Sequence, residues 1–259
     1  MGHARLKDLP RSLWWDQVVE LLDDGGSVDE IADATSVAMD RALAHAVRDP
    51  ALAHVVLLLA SLPGAARQDD FVSACRAIGV NPGVTPSLLD ILSGLEQAVD
   101  REARLSGSRT DLGEIAQLAA ASSLAKIITP DLPSLFGTTS RDVQVALAKL
   151  DTPQQFARLS RTFFADLLYR SLEYYLSRTY ARNIGSRETF SNLSAQEEFR
   201  HALSEHCYQS ALIIETYSEE WFSKSKFETG ISRPIATNFA RVALGKLRAE
   251  LRRRNRSDG

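Results

Sequence analysis

The sequence predicts an all-α protein: a multi-helix N-terminal domain over residues 1–130, then a C-terminal helical bundle over residues 140–255. Three observations lead there. Apolar residues recur at three- and four-residue steps through nearly every segment, the period of a helix that buries one face. Helix-start signals stand before most of these runs, either a Ser, Thr or Asp next to proline or a Ser or Asp with glutamate three places on. No stretch sustains apolar–polar alternation between turn residues, so strands are not expected.

The elements follow in order. Pro10 precedes Leu13, Trp14, Val18, Leu21 and Leu22, a run that Gly25 and Gly26 stop. Of the pair Trp14 and Trp15, one ring is expected in the core and one outside it. Ser27 and Glu30 form a capping box for a helix running towards Arg48. Asp49-Pro50 starts the next, because proline lacks an N–H that the first turn leaves unbonded anyway; its end is predicted at Pro63-Gly64. A helix over about 69–78 breaks at Gly79 and Asn81-Pro82-Gly83. Thr85-Pro86 opens one through Leu88, Leu92, Leu95 and Val99, and Asp111 with Glu114 opens another through Ile127. Pro130 and Pro133 bracket a connector, the boundary between the two halves, and Ser140 starts a helix to about Leu150. Thr152-Pro153 opens a longer, aromatic-rich helix with Phe156, Leu159, Phe163, Leu167 and Tyr174 on one stripe, ending near Asn183 and Gly185. Ser194 with Glu197 opens the next, and a last helix starts near Pro234.

Composition sets the broad class. A hydrophobic share of 44% fits a globular core. No apolar run approaches the ~18 residues of a membrane span, and the N-terminus is polar, carries Asp8 and lacks a signal-peptide core. Cys75 and Cys207 are far apart, sit in apolar helical patterns and lack metal-type spacing, so both are expected as buried, reduced thiols. No Walker loop, dinucleotide glycine fingerprint or nucleophile elbow is present. These features point to a soluble cytoplasmic protein with no cofactor, no metal and no membrane contact.

The net charge of −3 hides an asymmetry. Residues 1–150 carry 13 Lys+Arg against 20 Asp+Glu, a balance of −7, and residues 151–259 carry 17 against 13, a balance of +4. Seven basic residues fall in the last nineteen positions, among them Arg252, Arg253 and Arg254, which become candidates for phosphate contacts. Helix-dipole complementation explains the same residues without a nucleic acid.

The most informative run is Arg200-His201-Ala202-Leu203-Ser204-Glu205-His206, on a helix where Phe199, Leu203, His206, Ser210, Ile213 and Tyr217 share a stripe. His206 is thereby predicted to face the packed side or an interface rather than bulk water, with Arg200 about 120° around the helix and roughly 9 Å along it. Phosphodiester cleavage needs a cation to hold phosphate and a group that exchanges protons near neutrality. Arg, a polar residue, four residues and His resembles the signature of the HEPN superfamily of helical ribonucleases, over residues 140–255. The resemblance implies a metal-independent endoribonuclease, often a toxin or anti-phage effector. In it His206 is general base or acid, Arg200 holds the phosphate oxygens, His201 orients its neighbours, and two protomers pack into one composite site. The aromatic residues Phe163, Tyr174, Tyr217, Trp221 and Phe222 offer more apolar face than a small bundle hides, which also predicts a homodimer through the C-terminal helices. RNA is the expected partner of this half, and the acidic half is expected to sense a trigger or bind a protein.

Other readings compete. Glu197, Glu198 and Glu205 crowd the motif and repel phosphate. Glu198 and His201 have the Glu-x-x-His spacing of di-iron bundles, with Glu205 one turn on. A second Arg-polar-x4-His match, Arg48 to His54, has Pro50 inside it and reads as coincidence. Ser27 to Leu43 faintly resembles a helix-turn-helix, but Asp29, Asp33 and Asp40 would face DNA phosphates, so an amphipathic helix is expected. The competing functional class is a non-catalytic helical scaffold, with His206 a satisfied core histidine and Arg200 a surface ion-pair partner.

Overall fold

A computed structural model describes residues 13–38, 49–107, 110–133, 137–180, 193–228 and 230–257, without the side chains of 13–14, 178–180, 227–228, 252 and 254–257. Among these residues the chain forms eleven α-helices and no strand. They are α1 Leu13–Asp23, α2 Val28–Ala38, α3 Pro50–Ala66, α4 Phe71–Ala77, α5 Leu88–Leu105, α6 Asp111–Ile128, α7 Ser140–Lys149, α8 Pro153–Tyr180, α9 Leu193–Ser210, α10 Leu212–Glu228 and α11 Arg233–Ser257. The fold is all-α, as the sequence predicts, and no described helix is long and apolar enough to cross a membrane.

Side-chain caps fix where many helices begin. The Ser27–Glu30 box opens α2, with Ser27 N–H donating to Glu30 Oε2 at 2.8 Å. Ser87 with Asp90 does the same for α5, two residues after the predicted start, and Thr139 with Asp142 does so for α7, whose first residue is Ser140 as predicted. Hydrogen bonds from these caps hold the carboxyls of Glu30, Asp90 and Asp142 below the usual range. Asp49 Oδ1 accepts from Ala51 N–H at 2.8 Å and Leu52 N–H at 3.1 Å to start α3. Its Oδ2 accepts from the Thr110 hydroxyl, whose own oxygen accepts from Gly113 N–H to cap α6. One buried carboxylate thus ties the starts of two helices. After α1 the chain turns back through Gly25 at φ 72°, where Gly26 N–H donates to Leu21 O, a closure that favours glycine.

The core organises around α3, which is buried on nearly every side by Leu52, Val55, Val56, Leu58, Leu59 and Leu62. It packs against α4, α5, α6, α7 and α11. A second axis is α8, packed on α6, α9 and α10, while α2 packs on α1, α9 and α11. Helices from residues 1–130 and 140–255 therefore share one buried cluster, with Ile31, Leu58 and Leu124 beside Phe163, Leu203 and Leu244. Cys75 and Cys207 lie in it as free buried thiols; burial pushes Cys75 up to about 12 and raises Cys207 as well, where Asp166 adds to the shift.

Four features differ from the sequence reading or extend it. Helix α3 continues through Pro63 to Ala66, because Pro63 is buried in apolar packing and Gln144 Nε2 holds the helix end by donating to Ala66 O at 3.1 Å and Gln68 O at 2.9 Å. The stripe read as one helix from Phe199 to Tyr217 divides at Ala211 into α9 and α10. The division lets the α10 aromatics meet α8 and α11: Phe222 stacks on Phe156 at 4.3 Å, Trp221 lies 4.2 Å from Phe239, and Tyr217 stacks on Phe239 at 5.4 Å. Of the aromatics singled out in the sequence, Phe163 and Phe222 are fully buried, while Tyr174, Tyr217 and Trp221 are partly buried, with Tyr174 donating to Asp111 at 3.0 Å. Trp15 is a core ring, 5.9 Å from Tyr175, while the side chain of Trp14 lies outside the described residues. The predicted extension of α2 towards Arg48 lies outside the described residues.

Two glycines give opposite expectations. A Cβ on Gly113 would meet Ala51 Cβ at 2.9 Å, whereas one on Gly245 in α11 meets nothing within 4 Å. Gly113→Ala is expected to destabilise by about 1–3 kcal/mol through overpacking. Gly245→Ala is expected to stabilise by roughly 0.5–1 kcal/mol through helix propensity. Urea unfolding of the two variants checks both signs.

Candidate functional site

Helix α9 carries the Arg200–His206 run and packs against α8, α2, α10 and α11. Phe199, Leu203, His206, Cys207 and Ser210 form its buried face, as the period predicts. Arg200 and His201 are on the exposed side. The two ends of the motif meet different helices.

Arg200 turns to α8. Its Nε donates to Glu173 Oε1 at 2.8 Å, with the guanidinium 44% exposed and the carboxylate 17%. The Tyr169 phenol, one turn earlier on α8, hydrogen-bonds the same guanidinium; burial and the Glu173 charge raise its pKa while Arg200 opposes them.

His206 turns to α2, with a side chain only 5% exposed. Its Nδ1–H donates to Asp29 Oδ1 at 2.7 Å. Its Nε2 is buried without a hydrogen-bond partner and has Asp33 Oδ1 3.7 Å away. Asp29 and Asp33 stand one turn apart on α2 and so flank the imidazole. The ring nitrogen left to exchange a proton faces a carboxylate rather than a cation. The sequence reading missed these two residues as partners; the only signal was their i, i+4 spacing on a helix otherwise read as a poor DNA reader.

The wider field is acidic. Asp16, Glu20, Asp23, Asp24, Asp29 and Glu30 are exposed on α1, α2 and the turn between them, and residues 13–38 contain no Lys or Arg. Glu197, Glu198 and Glu205 are exposed on α9. Among the described residues no three His, Cys, Asp or Glu side chains are grouped to hold a metal ion.

The remaining candidates lie elsewhere. On α11, Arg253 is 75% exposed and engages Glu250 through Nη2 at 2.8 Å and Nε at 3.0 Å. The side chains of Arg252 and Arg254 lie outside the described residues, as does Arg48 of the second motif match. No protein family, curated protein or solved structure matches this chain. Its chemistry is therefore argued from its own geometry.

The burial difference between the two motif residues makes a direct prediction. His206→Ala removes a buried imidazole and its part-buried hydrogen bond to Asp29, and leaves a cavity beside Asp33, an expected loss of about 1–3 kcal/mol. Arg200→Ala breaks a half-exposed ion pair and is expected to cost about 0–1 kcal/mol. Thermal melts of both variants check the order.

Proposed function

We propose that this chain is a non-catalytic helical interaction protein, in which the motif residues join helices. His206 fastens α9 to α2, and Arg200 fastens it to α8. The observation that carries this reading is the buried imidazole between Asp29 and Asp33, with Arg200 engaged on a different neighbour. A phosphate at His206 would meet two carboxylates before any cation. The exposed carboxylates of α1, α2 and α9 add to that repulsion and suit a cationic protein partner better than a polyanion.

A second reading keeps one specific observation. Asp29 Oδ1 lies 2.7 Å from His206 Nδ1, a carboxylate–imidazole pair of the kind that orients a general base. On that reading the protein is a metal-independent endoribonuclease of HEPN type, a toxin or defence effector of the cytoplasm. His206 is the base or acid, Arg200 the phosphate clamp and His201 an orienting neighbour; Arg252, Arg253 and Arg254 contact RNA, and a second protomer completes the site.

Incubation with total RNA in EDTA separates the two. The interaction reading expects RNA to survive wild type and variants alike. Cleavage leaving 2′,3′-cyclic phosphate ends, lost by on the order of 10²-fold in folded Arg200→Ala and His206→Ala proteins, would replace it with the ribonuclease.

A further inference from the structure

A second histidine, away from α9, joins three helices that are distant in sequence. Arg233, the first residue of α11, grips Glu102 near the end of α5 with both terminal nitrogens, Nη1 to Oε1 at 2.6 Å and Nη2 to Oε2 at 2.7 Å. Its Nη2 also lies 3.5 Å from His54 Nδ1 on α3, where a neutral imidazole accepts. Beside them Arg101 Nη2 donates to the Gly79 carbonyl. We propose that His54, Glu102 and Arg233 form an acid-sensitive latch that holds the start of α11 on α3 and α5, and that protonation of His54 opens it.

The reasoning rests on charge count within this group. With His54 neutral, one guanidinium and one carboxylate pair in a forked geometry, and the imidazole adds an acceptor. With His54 protonated, a second cation stands 3.5 Å from the guanidinium and competes for the same carboxylate. Glu102 is 14% exposed and held on α5, so it stays; Arg233 is half exposed and can turn to solvent. Residues 232–234 are exposed, so Arg233 can turn outward without displacing buried side chains at these positions.

The charged groups acting on His54 are Glu102 and Arg101 of α5 and Arg233 of α11; among the described residues α4, α6 and α7 bring none to it. Burial is the largest influence and holds the imidazole below its usual range; Glu102 opposes this, and Arg233 and Arg101 add to it. A histidine whose folded pKa is depressed stabilises fully above its unfolded value, near 6.5. That contribution is lost as pH falls, which is the direction the latch requires.

Amide hydrogen exchange of peptides spanning about 230–242, corrected for intrinsic rate and compared at about pH 7 and about pH 5, tests the latch. In the full-length wild type, exchange at the start of α11 should rise by about tenfold or more on acidification. His54→Gln, which stays uncharged, should remain protected at both pH values. Arg233→Met, which lacks the grip, should exchange fast at both. An unchanged wild type, or an acid-induced rise of the same size in either folded variant, overturns the proposal; if one variant fails to fold, the other carries the comparison.

Discussion

Everything in this architecture follows from the need to cover α3. A helix apolar on one stripe needs one neighbour, but α3 presents Leu, Val and Ala around its circumference and needs a ring of them. Helices α4, α5, α6 and α7 come from the adjoining sequence, and α11 closes the ring from the other end of the chain. The acidic and basic halves are in this sense a pattern of charge laid over one hydrophobic arrangement.

Polar ties then fix the register of that arrangement. Asp49 joins the starts of α3 and α6, Arg233 joins α11 to α5, and His206 joins α9 to α2. Buried Asp151, at the α7–α8 junction, takes Lys226 of α10 at 2.5 Å and Arg67 beyond α3 at 3.5 Å. Each buried member would be costly alone, and each has its hydrogen bond or opposite charge. These ties link helices that lie far apart in sequence.

Local signals carried most of the helix list. The Ser27 cap, the Asp49-Pro50 start and the buried stripe of α8 were legible because caps and periodicity act within a few residues. Pro63 misled because its local penalty is overridden by packing that the sequence does not display. The division at Ala211 was invisible because the apolar stripe runs across it without interruption. For the candidate site, the burial of His206 was legible from the stripe, but its partners were not. Asp29 lies 177 residues away, and no local pattern states which face α2 offers to α9. That Phe156 and Phe239 would receive part of the α10 aromatic face was not legible either, since they lie on other helices.

The ring around α3 also has a consequence for how the chain is made. His54 and Arg233 are 179 residues apart, so at a synthesis rate of ~5–20 residues per second α3 emerges roughly 10–35 s before the helix that closes over it. During that interval a strip of leucine and valine is open on the nascent polypeptide. That interval is long compared with collapse and helix formation, which take microseconds. Until α11 is made, the face it will cover stays the open part of the ring around α3.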